Sequence, residues 1–217
     1  MDKGQFVHLH VHNQYSLLDG AIRFEELFAL AKKYEMPAVA LTDHGNMFGA
    51  IEFYRKAIKN GIKPIIGCEI YVAPKSRFEK KSRDASERPY HITLLAKNKT
   101  GYHNLIRLIS LAHLEGFYYK PRIDKDLLRQ YNEGLIALSG CLKGEIAFLL
   151  DRGEYQEAER VALEYSEIFP PDRFFLEIQE NGVENQGAIN EKLCAMAAKL
   201  SLSLVATNDC HYLRRKD

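Results

Sequence analysis

Residues 6–12 have the sequence Phe-Val-His-Leu-His-Val-His, in which three histidines alternate with apolar residues. A β-strand has a side-chain period of two, so this alternation predicts a strand that carries His8, His10 and His12 on one face. Buried imidazole nitrogens need partners, and three adjacent imidazoles make good ligands for a divalent metal. The stretch therefore predicts a metal site on a strand in preference to a purely structural histidine cluster.

Outward from this stretch, short β-rich runs alternate with amphipathic helical patterns. The predicted strands are Phe6–His12, Ala38–Thr42, Pro64–Val72, His91–Ala96, Leu135–Ser139, Phe174–Gln179 and Leu204–Thr207. The predicted helices are Phe24–Tyr34, Phe48–Asn60, Tyr102–Leu114, Glu154–Ile168 and Asn185–Leu200. Such alternation is typical of an α/β protein in which helices cover parallel strands, as a barrel or as an open sheet.

The composition indicates one globular body. With 217 residues, 46% hydrophobic and 27% charged, the chain is neither wholly disordered nor fibrous. Its 30 basic and 29 acidic residues leave a net charge of +1, so nucleic acid can be bound only through a local patch.

No apolar run approaches the roughly 18 residues that cross a bilayer, and the amino terminus lacks a hydrophobic signal. We therefore expect a cytoplasmic protein without a membrane partner.

The four cysteines are widely spread and include no C-x-x-C pair, which argues against a disulfide framework or a zinc ribbon. We expect Cys68, Cys194 and Cys210 to be packing residues. Cys141 follows a glycine and lacks a flanking strand pattern that would bury it, so it is a candidate metal ligand.

Further candidate ligands occur where the other predicted strands meet loops. They are Asp43 and His44 after the second strand, Glu69 in the third, His91 at the start of the fourth, Cys141 after the fifth, and Asp209 and His211 after the last. The carboxyl edge of a parallel barrel collects such residues into one pocket, which is where barrel active sites lie.

Asp19, in Leu-Leu-Asp-Gly, has the local pattern of a turn residue. His103 and His113 lie on a predicted helix and are expected to be structural or surface residues.

Residues 74–89 fit no element and carry six basic against three acidic residues. We predict an exposed basic loop here. The simpler interpretation is a solvated tether between two strands, and the alternative is a flap that contacts phosphate.

Six phrases carry a family resemblance. They are HLHVHNQYSLLDG, ALTDHGNMFGAIEFY, GIKPIIGCEIYVAP, EGFYYKPRID, GLIALSGCLKGEI and VATNDCHYL. Through them the chain resembles, from Phe6 to Tyr212, the PHP (polymerase and histidinol phosphatase) domain, and especially the version at the amino terminus of bacterial replicative DNA polymerase III α subunits. Free-standing PHP phosphatases are not expected to carry IGCEIYVAP or EGFYYKPRID. The resemblance implies that residues 1–217 form a single domain, a distorted (β/α)7 barrel, excised from a much longer polymerase chain.

The resemblance also implies up to three divalent metals. Imidazole and thiolate ligands favour zinc, and the bridging carboxylate also suits manganese or iron. The first metal is implied on His10, His12, Glu69 and Asp209. The second is implied on Glu69, His91 and Cys141, and the third on Asp19, His44 and His211. His8 falls where many PHP proteins have an Asp, which makes it a candidate support for the ligands.

Family members with an intact site are metal-dependent 3′ to 5′ exonucleases, so the resemblance implies a phosphodiesterase suited to proofreading. Glu69, Asp209 and His44 are then the catalytic candidates. Lys120, Arg122 and Tyr118 would suit contacts to a phosphate backbone or base, and a packed aromatic turn with two solvated charges is the alternative. The implied partners are the rest of the polymerase α chain, a DNA 3′ end and other replicase subunits.

Two other functions stay open from the sequence. In one, the metals act only as a folding clip for the polymerase. In the other, the chain is a free-standing phosphatase that acts on a small phosphomonoester.

Overall fold

A computed structural model describes residues 6–80 and 88–214. Within this part of the chain the strands are β1 Ala38–Leu41, β2 Lys63–Val72, β3 Tyr90–Ala96, β4 Arg122–Ile123, β5 Leu135–Leu138, β6 Phe174–Gln179 and β7 Ser203–Thr207. The helices are α1 Phe24–Lys33, α2 Ala50–Lys59, α3 Lys99–Leu114, α4 Lys125–Tyr131, α5 Glu145–Asp151, α6 Tyr155–Ile168 and α7 Gln186–Leu200. The strands form one strongly curled sheet in the order β1, β2, β3, β5, β6, β7, with β4 paired to β2. The predicted α/β barrel class is confirmed.

Residues 8–12 link the two ends of the curled sheet. His8 forms an isolated bridge with Val39 of β1, and Val11 forms one with Cys210, just after β7. Two further backbone hydrogen bonds, 2.8 and 3.0 Å long, join the same segment to Cys210. The predicted first strand therefore lies where a barrel strand is needed, but it forms isolated bridges instead of a continuous ladder.

Strand β3 runs antiparallel to both of its neighbours, β2 and β5, which corrects the all-parallel arrangement predicted from the alternation. The connection between β2 and β3 spans residues 73–89, and its described residues, 73–80 and 88–89, form no crossover helix. A parallel neighbour needs a crossover, whereas a direct return leads to an antiparallel pair. The reversal places the amino end of β3 beside the carboxyl end of β2, because Tyr90 pairs with Val72.

The helices pack on the outside of the sheet through regular apolar stripes. In α1 the buried residues are Phe24, Leu27, Phe28 and Ala31, spaced i, i+3, i+4 and i+7 as an amphipathic helix requires. Phe53 of α2 meets Phe24 and Phe28 with ring centroids 5.5 and 5.3 Å apart. A larger core cluster packs α3 to α7 against β2, β3, β5 and β6. This outer packing leaves the inside of the barrel mouth to polar side chains.

The three cysteines predicted to be packing residues can be compared with the structure. Cys68 is fully buried, as expected. Cys194 is exposed, which corrects the packing position predicted for it. Helix α7 turns Leu193, Met196 and Ala197 toward the core, and Cys194 lies outside that stripe. Cys210 is half-buried.

The basic loop is described at residues 74–80 and 88–89, and the prediction for its middle, residues 81–87, lies outside the described residues. Lys75 is exposed, but Arg77 is held against the domain. The Arg77 guanidinium lies 2.9 Å from Asp124 and 2.7 Å from Glu115. Arg77 is therefore already neutralised by protein carboxylates.

None of the helices in the described residues has the length and apolar character needed to span a bilayer.

Candidate metal centre

All nine predicted ligand side chains meet at one mouth of the barrel. Seven separate segments supply them: residues 8–12 (His10 and His12), the following turn (Asp19), the loop after β1 (His44), β2 (Glu69), the start of β3 (His91), the loop after β5 (Cys141) and the segment after β7 (Asp209 and His211). Because β3 is reversed, its first residues lie at the edge where the parallel strands end. This places His91 in the same mouth as side chains that follow strand ends.

The innermost cluster joins two histidines to two carboxylates. The Nε2 atom of His10 lies 3.4 Å from Glu69 Oε1 and 3.3 Å from Asp209 Oδ1. The Nε2 atom of His12 lies 3.3 Å from Glu69 Oε2 and 3.3 Å from Asp209 Oδ1. Ligand atoms held at 2.0–2.1 Å from a tetrahedral zinc stand about 3.4 Å from each other. The spacing of these atoms therefore fits a shared tetrahedral ion.

Unpartnered polar atoms concentrate in this centre. Six buried side-chain nitrogen or oxygen atoms lack a hydrogen-bond partner in the described part of the chain, and five of them lie here: His10 Nε2, His12 Nε2, His44 Nδ1, Glu69 Oε2 and Asp209 Oδ1. Each such atom costs about 1–3 kcal/mol when nothing satisfies it. Imidazole nitrogens and carboxylate oxygens are the donors that a divalent ion such as zinc accepts. The residues present therefore fit a bound divalent metal.

Glu69 is the side chain shared between clusters. Its Oε1 atom lies 2.8 Å from His91 Nδ1 and 3.8 Å from Cys141 Sγ, while its Oε2 atom lies 2.7 Å from His44 Nδ1 without forming a hydrogen bond. A carboxylate can bridge two metal ions when each of its oxygens binds one of them. The second predicted ligand set, Glu69, His91 and Cys141, is thus brought together.

The third predicted ligand set lies at the outer side of the mouth. His44 Nε2 is 3.3 Å from Asp19 Oδ2, and His211 Nε2 is 3.8 Å from the same oxygen. The His12 and His211 rings stack with centroids 4.3 Å apart. Asp19 is 42% exposed, whereas Glu69 is 1% exposed. The centre is therefore closed at its inner cluster and open at its outer one.

Glu177 orients His10 from behind and was not identified from the sequence. Its Oε1 atom lies 2.8 Å from His10 Nδ1, and both side chains are fully buried. Glu177 also accepts hydrogen bonds from Gln179 Nε2 at 3.0 Å and from the Gly140 amide at 3.1 Å. The available signal was a carboxylate in the middle of the otherwise apolar run Phe-Phe-Leu-Glu-Ile that begins β6.

A second buried relay orients His12. Its Nδ1 atom lies 2.9 Å from Ser16 Oγ, and that hydroxyl donates to Asp43 Oδ1 at 2.7 Å. Asp43 also accepts from the backbone amide of Asn13 at 2.8 Å. Asp43 therefore supports the ligands, although its place at a strand end made it resemble a ligand in sequence.

The electrostatics of the centre keep its carboxylates ionised. Burial alone would raise the pKa of Asp209, but the nearby His10 and His12 outweigh it and lower the pKa to about 2. Burial likewise opposes the effect of His91 and His10 on Glu69, whose pKa nevertheless falls well below its usual value. Burial and the neighbouring Glu69 raise the pKa of the Cys141 thiol well above its usual value. Ionised carboxylates are the form that binds metal.

The predicted substrate contacts separate in the structure. Lys120 lies at the mouth, with its Nζ 5.4 Å from the centre of the Tyr71 ring. Arg122 is 5% exposed, and its guanidinium donates to the carbonyl oxygens of Gly116 and Glu79, both at 3.0 Å. Tyr118 packs against that guanidinium. The placement of Arg122 favours a structural role over a phosphate contact.

The remaining predicted histidines lie outside the three clusters. His8 Nδ1 is 3.5 Å from Cys210 Sγ, and none of the metal-binding groups found in the described residues includes it. His103 is exposed on α3. His113 is also exposed, and its Nε2 atom lies 3.1 Å from the Gly45 carbonyl oxygen.

The chain is similar in sequence to bacterial DNA polymerase III subunits. The chain is similar to the DNA polymerase III subunit alpha of Thermus aquaticus, at 52% identity over 99% of this chain and 18% of that protein. The corresponding protein of Borreliella burgdorferi is 49% identical over 99% of this chain and 19% of its own length. The chain thus spans about a fifth of the length of the curated relatives it matches.

Two solved structures have a fold similar to that of this chain. A two-domain protein from Bacteroides vulgatus, described as containing a predicted PHP-like metal-dependent phosphoesterase, matches 94% of this chain and 51% of its own chain with a TM-score of 0.57 and 15% identity. An amidohydrolase from Chromobacterium violaceum with bound sulfate matches 94% of this chain and 87% of its own with a TM-score of 0.58 and 15% identity. At this identity the likeness concerns the fold alone. The sequence model of the PHP domain family matches residues 8–181. The chain therefore belongs to the PHP domain family.

Proposed function

We propose that this chain is the PHP domain of a bacterial replicative DNA polymerase III α subunit, and that its metal centre hydrolyses the terminal phosphodiester at a DNA 3′ end. Identities of 45 to 52% to such subunits over nearly the whole chain support the first part. The convergence of nine side chains of the types that ligate metals, five of which carry an unpartnered buried atom, supports the second. That convergence is the observation on which the proposal depends.

The proposed reaction is a hydrolysis. Water adds to the phosphorus between the last two nucleotides, and the bond from phosphorus to the 3′ oxygen of the penultimate sugar breaks. One proton of the water ends on that 3′ oxygen, and the products are a nucleoside 5′-monophosphate and a new 3′ hydroxyl. When bound, divalent ions lower the pKa of water and stabilise negative charge on phosphoryl oxygens.

The residues of the chain have distinct parts in this proposal. Glu69 is ionised and bridges the inner and outer clusters, so it fixes their separation. Asp209 stays ionised because its pKa is about 2 and completes the inner cluster. His44 contacts both Glu69 and the exposed Asp19, which places it where a substrate can reach. We therefore propose Glu69, Asp209 and His44 as the catalytic residues.

The cofactors in this proposal are up to three divalent ions, with zinc favoured by the imidazole and thiolate donors and manganese or iron as alternatives. The proposed partners are the rest of the polymerase α chain, other replicase subunits and the DNA 3′ end. Replication places the proposed site of action in the cytoplasm.

The test uses metal-replete protein and a primer that ends in a mismatched 3′ nucleotide. We expect release of the terminal nucleoside 5′-monophosphate, and we expect chelation or His10→Ala to abolish it. His103→Ala is the matched control, because His103 is exposed on α3 and belongs to none of the candidate metal-binding groups in the described residues. Hydrolysis that is no faster in the wild type than in His10→Ala contradicts the proposal.

A structural role for the metals is the second candidate. The observation that favours it is the complete burial of His10, His12 and Glu69, which leaves the inner cluster closed to substrate. In that case chelation unfolds the domain while the metal-replete protein hydrolyses no primer. Turnover of a phosphate monoester without any effect on DNA would instead indicate a small-molecule phosphatase.

A further inference from the structure

A pocket of about 230 Å³ opens beside the outer metal cluster and includes Asp19 and His44 in its wall. Most of the remaining wall is apolar or aromatic, and Lys120 adds a positive charge. The side chains that matter here are Tyr15, Leu17, Leu18, Phe48, Tyr71 and Lys120. The metal centre described above uses none of these six.

The rim of the pocket is unusually apolar for an exposed surface. Leu17 is 79% exposed, Leu18 is 87% exposed and Phe48 is 67% exposed. Neighbouring exposed apolar side chains of this kind mark a binding surface. Proteins that hold single-stranded nucleic acid combine such a surface, on which a base stacks, with a nearby cation for the backbone.

Lys120 lines the pocket and is linked to the predicted ligand His44 through the Tyr71 ring. Its Nζ atom is 5.4 Å from the centre of the Tyr71 ring, and that ring stacks at 5.9 Å on the ring of His44. Tyr71 follows Glu69 by two residues on β2, so both side chains face the barrel mouth. A phosphate near Lys120 is therefore close to the outer cluster.

We infer that this pocket binds the 3′-terminal nucleoside of single-stranded DNA, with the base against Phe48, Leu17 and Leu18 and the adjacent phosphate beside Lys120. This inference rests on the proposed function and adds the form of its substrate. A volume of about 230 Å³ is below the roughly 300–1,000 Å³ of sites for drug-sized ligands, so it admits one nucleoside at a time. A paired base must leave its partner before it can enter, and a mismatched end does so at lower cost.

The test compares two single-stranded oligonucleotides, one with a normal 3′-terminal base and one with an abasic 3′ residue. We expect Phe48→Ala to lower kcat/KM for the normal end about tenfold or more, and to change it far less for the abasic end. Lys120→Ala should lower kcat/KM for both ends. Tyr34→Ala is the matched control, because Tyr34 is 52% exposed at the end of α1, which leads to the amino end of β1, whereas His44 follows the carboxyl end of that strand.

Equal losses for the two ends in Phe48→Ala would overturn the inference. A second measurement does not depend on turnover. An oligonucleotide with 2-aminopurine at its 3′ end and a phosphorothioate at the terminal linkage should lose fluorescence on binding to the wild type, and lose less on binding to Phe48→Ala. Base-dependent binding without hydrolysis would contradict the proposed function and leave the pocket assignment standing. Binding that ignores the terminal base would contradict the pocket assignment even where hydrolysis is found.

Discussion

His10 Nδ1 lies 2.8 Å from Glu177 Oε1, and the two residues are 167 positions apart in the chain. A proton on Nδ1 that is donated to Glu177 leaves the lone pair of Nε2 free, and that atom faces Glu69 and Asp209. Carboxylates behind ligating histidines fix the tautomer and the ring orientation in this way. Glu177 is thus a positioning residue for the inner cluster.

Glu177→Gln tests this role. The amide keeps the size of the side chain and one acceptor oxygen but removes the negative charge behind His10. We expect metal affinity at the inner cluster to fall by about 10- to 100-fold, measured by zinc titration against a chelator of known affinity. Glu184→Gln is the control, because Glu184 is exposed. An unchanged dissociation constant in Glu177→Gln would remove Glu177 from the metal centre.

Metal removal should lower the stability of the domain. Without an ion, the buried unpartnered atoms of His10, His12 and Asp209 lower the free energy of unfolding, because buried polar atoms without a partner are unfavourable. Free metal at 100 times its dissociation constant adds about 2.7 kcal/mol to the free energy of unfolding. Calorimetry with and without chelator should show a lower melting temperature for the metal-free protein.

Asp209→Asn should reduce the difference that chelation makes, because the inner cluster loses an anionic ligand. Asp126→Asn should keep the full difference, since Asp126 is 85% exposed on α4. A chelator effect of the same size in Asp209→Asn and wild type would argue against metal at this cluster.

Gly101 and Gly187 form a matched pair for packing. A Cβ at Gly101 of α3 would lie 1.8 Å from the Gly134 carbonyl oxygen, whereas a Cβ at Gly187 of α7 meets nothing within 4 Å. We expect Gly101→Ala to lower the free energy of unfolding by about 3 kcal/mol, because the clash is with backbone. Gly187→Ala should raise it by about 0.5–1 kcal/mol. Urea denaturation measures both, and equal effects would mean that α3 and Gly134 are not in contact.

Arg122 and Lys120 should separate stability from substrate contact. Arg122→Ala leaves the carbonyl oxygens of Gly116 and Glu79 without their donor, at a cost of about 1–3 kcal/mol in the free energy of unfolding. Lys120→Ala should change that free energy by less than about 0.5 kcal/mol. Urea denaturation distinguishes the two, and a stable Arg122→Ala that loses only DNA binding would restore the substrate contact predicted from the sequence.

Local sequence predicted which segments meet but not every partner within the centre. Polar residues at strand ends identified the loops after β1, β5 and β7, and the structure brings those loops together. Their roles as metal ligands stay predictions. Asp19 had only a turn pattern locally, because its 3.3 Å approach to His44 depends on a tertiary contact. Asp19 was predicted as a ligand only through the family resemblance.

Strand direction and supporting residues were beyond the local pattern. Periodicity is the same for parallel and antiparallel strands, so the reversal of β3 could not be inferred from it. The alternation of Glu69 and Tyr71 did carry a signal, since residues two apart on a strand share a face. Two-residue β4 gave no periodic pattern at all.

The link between residues 8–12 and Cys210 affects how the protein is made. A ribosome synthesises the histidines of this segment early and Asp209 some two hundred residues later, so the inner cluster has its full complement only when nearly all of the described chain has emerged. Until then His10 and His12 lack their carboxylate neighbour from the far side of the barrel. We therefore predict that tight metal binding at this cluster requires a closed barrel.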